Sequence, residues 1–220
     1  MPIRLAIADD HQLFVEGMRL LLARYSDLEL IIEAANGQEL MRAISIQQPD
    51  LILLDLKMPE MDGLQVLRQI KQDYPQVRII VLSLHDNERL VAHLMEEGAN
   101  AYLLKNEKPA TLYQAIRSVY ETGYFFSDYV GKALLKNRNN RIAAKARLND
   151  IQAPSFSRRE LEVLQLICQQ HTTAEIAKLL FITPRTVEGH RKNLLAKSDT
   201  KNVAGLVVYA MRNGLVEFEE

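Results

Sequence analysis

The sequence predicts two domains of different class: a doubly wound five-stranded parallel α/β sheet over residues 1–125, and a small all-α domain of four helices over residues 154–216. Three observations predict this. The 220 residues exceed one ordinary domain and suit two. Short apolar runs alternate with helix-type periodicity through about residue 123, and from Ser157 onward the periodicity is helical alone.

The strands are read at 3–8, 28–33, 51–54, 77–82 and 101–104, runs too short for helices and each followed by a polar or acidic residue. Between them, Leu13, Met18, Leu21 and Leu22, then Leu40 and Ile44, then Leu64, Leu67 and Ile70, then Leu112, Ile116 and Val119 recur at helical spacing. Strand–helix alternation of this length implies a parallel sheet, because right-handed crossovers place helices on both faces. Ligands of such sheets bind beyond the carboxyl ends of the strands.

Residues 126–153 lose the pattern and carry Lys132, Lys136, Arg138, Arg141, Lys145 and Arg147, with Pro154 closing the stretch. They read as a basic linker, and the pattern leaves open whether part of it is helical. Ser157 with Glu160 forms a capping box, and Thr183 before Pro184 marks another helix start. Leu161, Leu164 and Ile167, then Ile176, Leu179 and Leu180, then Val187, Leu194 and Leu195, then the run 206–211 supply the apolar positions of four helices.

Composition narrows the function classes. Hydrophobic residues at 48% and charged residues at 25% are the values of a folded globular chain. Cys168 is the single cysteine, which excludes an internal disulfide and a cysteine-cluster metal site. No leader is visible and no apolar run approaches the ~18 residues of a membrane span, so a cytoplasmic protein is expected. The net charge of −1 hides an asymmetry: residues 1–125 carry 12 Lys/Arg against 18 Asp/Glu, and residues 126–220 carry 15 against 10. The basic half suits a polyanion.

Asp9 and Asp10 follow the first strand, Asp55 the third, Ser83 the fourth and Lys105 the fifth, so all five emerge on one edge. Acidic residues after strands commonly only cap helices or solvate loops. Five such residues at four strand ends point instead to chemistry. Carboxylates held together repel, and a hard divalent cation with oxygen ligands, magnesium above all, relieves the repulsion. With Lys105 and Ser83 it would offset charge on a phosphoryl group passing to Asp55.

In the second domain, inward-facing Val187, Leu194 and Leu195 leave Arg185, Thr186, Glu188, Gly189 and Lys192 on the opposite face of a helix, where base edges in a major groove could be read. Thr172, Thr173, Arg185, Arg191 and Lys197 would contact phosphates. The last helix is apolar around more of its circumference than one core contact needs, which leaves a face to pair two protomers or to bury within the domain.

IADDH, LILLDLKMPEMDGL, VLSLHD and AYLLK make residues 3–123 resemble a response-regulator receiver domain, with a flavodoxin-like sheet. TAEIAKLLFITPRTVEGHRKNLL makes residues 155–215 resemble a LuxR-type helix-turn-helix domain, and together they resemble the NarL/FixJ type of regulator. The resemblance implies that Asp55 is phosphorylated by a sensor histidine kinase. It implies that Asp10, Asp55 and the Lys57 carbonyl ligate magnesium, with Asp9 acting through water. Ser83 would be the switch hydroxyl, Lys105 the phosphate-contacting lysine and Tyr102 the aromatic that turns inward on phosphorylation. Lys57 and His85 would set the lifetime of the aspartyl phosphate.

Promoter DNA, a homodimer formed on phosphorylation or DNA binding, and RNA polymerase are the implied partners. No enzyme activity is expected beyond phosphorylation and dephosphorylation of the chain itself. Ser83 stands where threonine is usual, and Asn106 replaces a frequent proline, which weakens the case for a cis peptide there. Pro59 and Gly63 fit a tight turn needing positive φ, and His11 reads as structural. Two rivals are an aspartyl-phosphate hydrolase, disfavoured by Lys57 where a second aspartate is usual, and a phosphorylation-independent transcription factor that keeps its receiver only for dimerisation.

Overall fold

The computed structural model describes residues 1–84, 88–127, 129–131 and 156–216. The N-terminal unit runs β1 (Ile3–Ala8), α1 (Gln12–Leu22), β2 (Leu28–Ala34), α2 (Gly37–Ile46), β3 (Leu51–Asp55), α3 (Gly63–Asp73), β4 (Arg78–Ser83), α4 (Glu88–Glu96), β5 (Ala101–Leu104) and α5 (Pro109–Thr122). All strand pairings are parallel, in the order β2-β1-β3-β4-β5. The direction in which successive strands are added reverses between β1 and β3, so their carboxyl ends frame the crevice where such sheets bind ligands.

Strand alternation sorts the core into two layers. Leu51 and Leu53 of β3 join Leu5 and Ile7 of β1 beneath α1 and α5, whereas Ile52 and Leu54 face α2, α3 and α4. Every residue of β3 is buried, as a central parallel strand requires. Asp62 caps α3 through a capping box with Gln65, and Asn36 caps α2 by accepting from the Glu39 amide.

The C-terminal unit comprises α6 (Arg158–Cys168), α7 (Thr173–Leu179), α8 (Pro184–Ser198) and α9 (Val203–Asn213). Ser157, Thr172, Thr183 and Asn202 each cap the following helix by accepting a backbone N–H three residues on. Buried Val163, Leu164, Ile167, Ile176, Val187, Leu194 and Leu206 close this small core. Of the stretch read as a basic linker, Val130 is buried against the core, and residues 132–155 lie outside the described residues.

The layer on the α4 side of the sheet continues without a break into the C-terminal unit through Tyr124 and Val130. Helix α9 packs on α6 and α8 of its own unit and also on α4. Asn202 Nδ2 donates to the carbonyls of Gly98 (2.5 Å) and Ala99 (3.4 Å), Lys201 pairs with Glu97 at 3.1 Å, and Arg212 pairs with Glu96. The Tyr124 hydroxyl donates to the Ile167 carbonyl at 2.5 Å. The extra apolar face read on the last helix is covered not only by its own domain: α4 of the same chain packs on it, because Val91, Leu94 and Met95 offer a matching apolar surface.

Near this junction Lys71 Nζ donates to the Val77 carbonyl (2.7 Å) and to Asn100 Oδ1 (3.1 Å). Burial, with Arg78 adding repulsion, lowers the Lys71 ammonium from its ordinary 10.5 to about 7. Between those two values the unfolded chain binds more protons at this position than the folded one, so stability should rise with pH. Melting of the wild type is expected to shift upward from about pH 7 to about pH 9, and Lys71→Met to flatten that shift. Parallel melting profiles for the two proteins would remove Lys71 from this role.

Candidate functional site

The carboxyl end of the sheet brings together what the sequence placed at strand ends. Asp9 and Asp55 are buried, Asp10 is exposed, and Lys105 Nζ sits 2.7 Å from Asp9 Oδ2 and 3.2 Å from Asp55 Oδ2 with its side chain 6% exposed. The Lys105 ammonium lies 4.9 Å from the centre of the Phe14 ring, and its backbone N–H donates to the Ser83 carbonyl at 2.8 Å. Ser83 is buried one residue beyond the Asp55–Leu82 register pair. Burial pushes the Asp55 carboxyl above its ordinary value and Asp9 adds to the shift, while Lys105 opposes both.

Asp9, Asp10, His11 and Asp55 each offer a ligand atom within 4.8 Å of the others. His11 belongs to this group rather than being merely structural: its Nδ1 lies 2.8 Å from Asp10 Oδ1 and 3.1 Å from Asp9 Oδ1. Its place directly after two aspartates was the available signal. The acidic pocket, rich in carboxylate oxygen and with Asp55 held against its charge by burial, fits a hard divalent cation.

Lys57 is exposed beside this pocket and lines a cleft of about 580 Å³ with Asp10, Met58, Pro59, Leu90 and Leu94. His85 lies outside the described residues. The peptide after Lys105 is trans. Tyr102 is fully buried, its ring centre 6.4 Å from that of Tyr129. The segment bearing Tyr129 and Val130, which the sequence pattern assigned to the linker, supplies the cover.

Gly63 also serves a different need from the one expected. Its φ is not positive; Glu60, at φ 64°, takes the left-handed position in this turn. A Cβ on Gly63 would lie 2.2 Å from the Asp55 carbonyl oxygen, so the requirement is for close approach of α3 to the end of β3.

On the C-terminal unit, α7 and α8 form two helices joined by a tight turn in which Phe181 adopts φ 53°. Arg185, Thr186, Glu188, Gly189 and Lys192 share the exposed side of α8, and nothing lies within 4 Å of a Cβ built on Gly189. Thr172 is occupied as the cap of α7. Thr173 Oγ1 donates to Glu188 (2.6 Å) and accepts from Arg191 (2.7 Å). Lys197 pairs at 2.7 Å with Glu160, which that ammonium holds below the usual carboxylate range. Arg191 also reaches across to the Thr122 carbonyl at 3.4 Å and is only 12% exposed. The position read as a phosphate anchor is thus turned toward the other domain.

Comparison with known proteins matches two families to two parts of the chain. Residues 5–117 match the response regulator receiver domain, and residues 154–210 match the bacterial regulatory proteins of the luxR family. The transcriptional regulatory protein DegU of Brevibacillus brevis is 32% identical over 225 residues, covering 98% of this chain and 95% of that protein. This chain belongs to the response regulators of the NarL/FixJ type. The oxygen regulatory protein NreC of Staphylococcus epidermidis (strain ATCC 12228 / FDA PCI 1200) is likewise 32% identical to this response regulator, over 98% of the chain and all of NreC.

Among solved structures, a LuxR-family two-component response regulator from Aurantimonas sp. SI85-9A1 superposes with a TM-score of 0.59 at 28% identity, covering 63% of the chain and 99% of that protein. The response regulator ChrA of a heme-sensing two-component system, 26% identical, covers 97% of the chain and 98% of its own length with a TM-score of 0.51. The present response regulator therefore joins a receiver to a DNA-binding domain of transcription regulators. Among its described residues no helix is long and apolar enough to cross a membrane.

Proposed function

We propose that a sensor histidine kinase phosphorylates this chain on Asp55 and that the modified form binds promoter DNA through α8 as a homodimer, there to meet RNA polymerase. The observation that carries the first half is Lys105 held between Asp9 and Asp55 at the switch point of the sheet. An Asp55 carboxylate oxygen forms the new P–O bond as the donor's bond to phosphorus breaks, and the leaving group keeps the electron pair and takes a proton. Lys105 offsets charge on the phosphoryl oxygens, and Ser83 provides a hydroxyl to one of them. Magnesium, held by Asp10, Asp55 and the Lys57 carbonyl with Asp9 behind them, supplies further positive charge when bound. Lys57, exposed beside the pocket, and His85 would set the lifetime of the aspartyl phosphate, as the family resemblance implies.

The second half rests on the exposed side of α8. Arg185, Thr186, Glu188, Gly189 and Lys192 face a major groove, while Thr172, Thr173, Arg191 and Lys197 hold phosphates. In the arrangement described, Arg191 is engaged with Thr122 and the pairing face of α9 is covered by α4. We read this as the resting form, in which phosphorylation loosens α4 from α9 and frees Arg191. Tyr102, already buried, then reports a change of packing around the ring rather than a swing from solvent.

DNA titration with and without a small-molecule phosphodonor tests the reading. Affinity and dimerisation should both rise only when phosphodonor and magnesium are present together. A factor of about ten requires about 1.4 kcal/mol of coupling, ordinary for allostery. Equal affinity with and without the phosphodonor would favour the phosphorylation-independent regulator instead.

A further inference from the structure

The end of the sheet opposite the acidic pocket gathers Arg4 and Arg78 around Asp50. Asp50, which precedes β3, accepts three hydrogen bonds from Arg4, through the backbone N–H (2.9 Å), Nε (3.3 Å) and Nη2 (3.0 Å). It is fully engaged. Arg78, the first residue of β4, has no comparable partner. Its guanidinium lies 5.4 Å from the centre of the Tyr120 ring and makes no hydrogen bond or ion pair among the described residues.

A further cation stands within electrostatic reach of Arg78: Arg191 of the DNA-binding domain. Burial holds Arg78 below its ordinary value against the opposing pull of Tyr120 and Asp50, and Arg191 adds a smaller push in the same direction as burial. Arg191 has Glu188 at 3.2 Å for one nitrogen, but its Nε is buried and finds no hydrogen-bond partner among the described residues. Half-buried like charges with unfilled donors are costly unless an anion joins them.

Arg78 opens onto a place for one. It lines a cleft of about 440 Å³ with Arg4, Asp50, Tyr120 and the pair Gln76–Gln48, whose amides are hydrogen-bonded at 3.0 Å. That volume suits a small ligand and is too small for a duplex. A planar guanidinium backed by an aromatic ring, with amide donors beside it, is suited to a phosphate-class oxyanion.

We propose that this cleft binds a small oxyanion of the phosphate class on Arg78, at the amino-terminal end of the receiver's strands. Arg191 adds its field there only while α8 is docked at Thr122. By linkage, whatever closure adds to anion affinity the anion returns as preference for the closed form.

Calorimetry of the full chain without divalent metal tests the site, with phosphate titrated against chloride at matched ionic strength and adenosine monophosphate in a parallel arm. Saturable phosphate binding, one per chain, is expected. Arg78→Gln should weaken it about tenfold or more, as loss of a charge-assisted contact would. Gln48→Glu, at an exposed position, should do the same by placing a carboxylate beside the cleft while leaving β4 untouched. Tighter binding of the nucleotide would identify a nucleotide as the source of the phosphate group, and equal binding would identify free phosphate.

No saturable heat with either probe, or heats that neither substitution changes, would overturn the site. The linked effect is read separately: phosphate should lower DNA affinity of the wild type but not of Arg78→Gln. This second readout rests on the DNA-binding reading and calorimetry does not, so their failures are distinguishable. Binding at Arg78 with no effect on DNA affinity would overturn the linkage alone.

Discussion

Asp55→Asn is expected to gain no mass on incubation with a phosphodonor and magnesium, under conditions in which the wild type gains one phosphoryl group. The amide nitrogen and carbonyl that replace the carboxylate leave no anionic oxygen to attack phosphorus, whereas the fold around position 55 should persist. The amide is nearly isosteric with the carboxylate it replaces among buried neighbours. The same substitution should raise the melting temperature in the absence of metal. Asp55 has its carboxyl raised by burial and by Asp9, so its charged form is disfavoured by the fold: the stability it lends below its ordinary 3.8 is lost as pH rises through the raised value. At neutral pH a neutral side chain removes that cost. Intact-mass measurement showing the full shift in Asp55→Asn would assign the phosphoacceptor elsewhere, and a lowered melting temperature would show that the Lys105 pairing outweighs burial.

Loosening the contact between the two domains is expected to give the second large effect, an unphosphorylated protein that binds DNA as the phosphorylated one does. Asn202→Ser keeps a side-chain oxygen to cap α9 but cannot match the reach of the amide that donates to Gly98 and Ala99. Tyr124→Phe deletes the hydroxyl on Ile167, whose carbonyl still accepts from the Gln170 amide. Each substitution costs the closed form about 1 kcal/mol, so the double variant shifts the closed–open balance by about 2 kcal/mol, or about thirtyfold. Resting DNA affinity should rise by about tenfold or more, and the phosphorylation-dependent ratio should shrink by the same factor. Unchanged resting affinity in the double variant would locate the restraint outside the α4–α9 contact.

What could be read from the sequence was set by local chemistry. The strands show as short apolar runs because β1, β3 and β4 are buried on both faces, and the helix starts show because Ser157, Thr183 and Glu160 carry capping chemistry within three or four residues. The acidic site was equally legible, since parallel strands deliver their ends to one edge and Asp9, Asp55, Ser83 and Lys105 each stand at one. The contacts that join the domains had no such signature. Asn202 caps a helix in the fold, and nothing near it in sequence announces Gly98, 104 positions away. Arg191 reads as a solvent-facing cation on a helix and only the folded chain brings it to Thr122, while Gly63 gave the right residue for the wrong reason, since proximity to Asp55 leaves no mark that distinguishes it from a left-handed turn.

The continuous apolar layer through α4 and α9 also bears on how the response would scale with abundance. Parting the two helices would expose Val91, Leu94, Val207 and neighbours to water, and an exposed stripe of that kind is unfavourable on a lone chain. A second copy covering it removes the penalty, so opening and pairing become one thermodynamic event rather than two. The concentration of active dimers then depends on the square of the concentration of modified chains, and the active fraction rises with that concentration. At low copy number phosphorylation would leave most molecules closed, and the cell's expression level of the regulator would set the threshold of its own output.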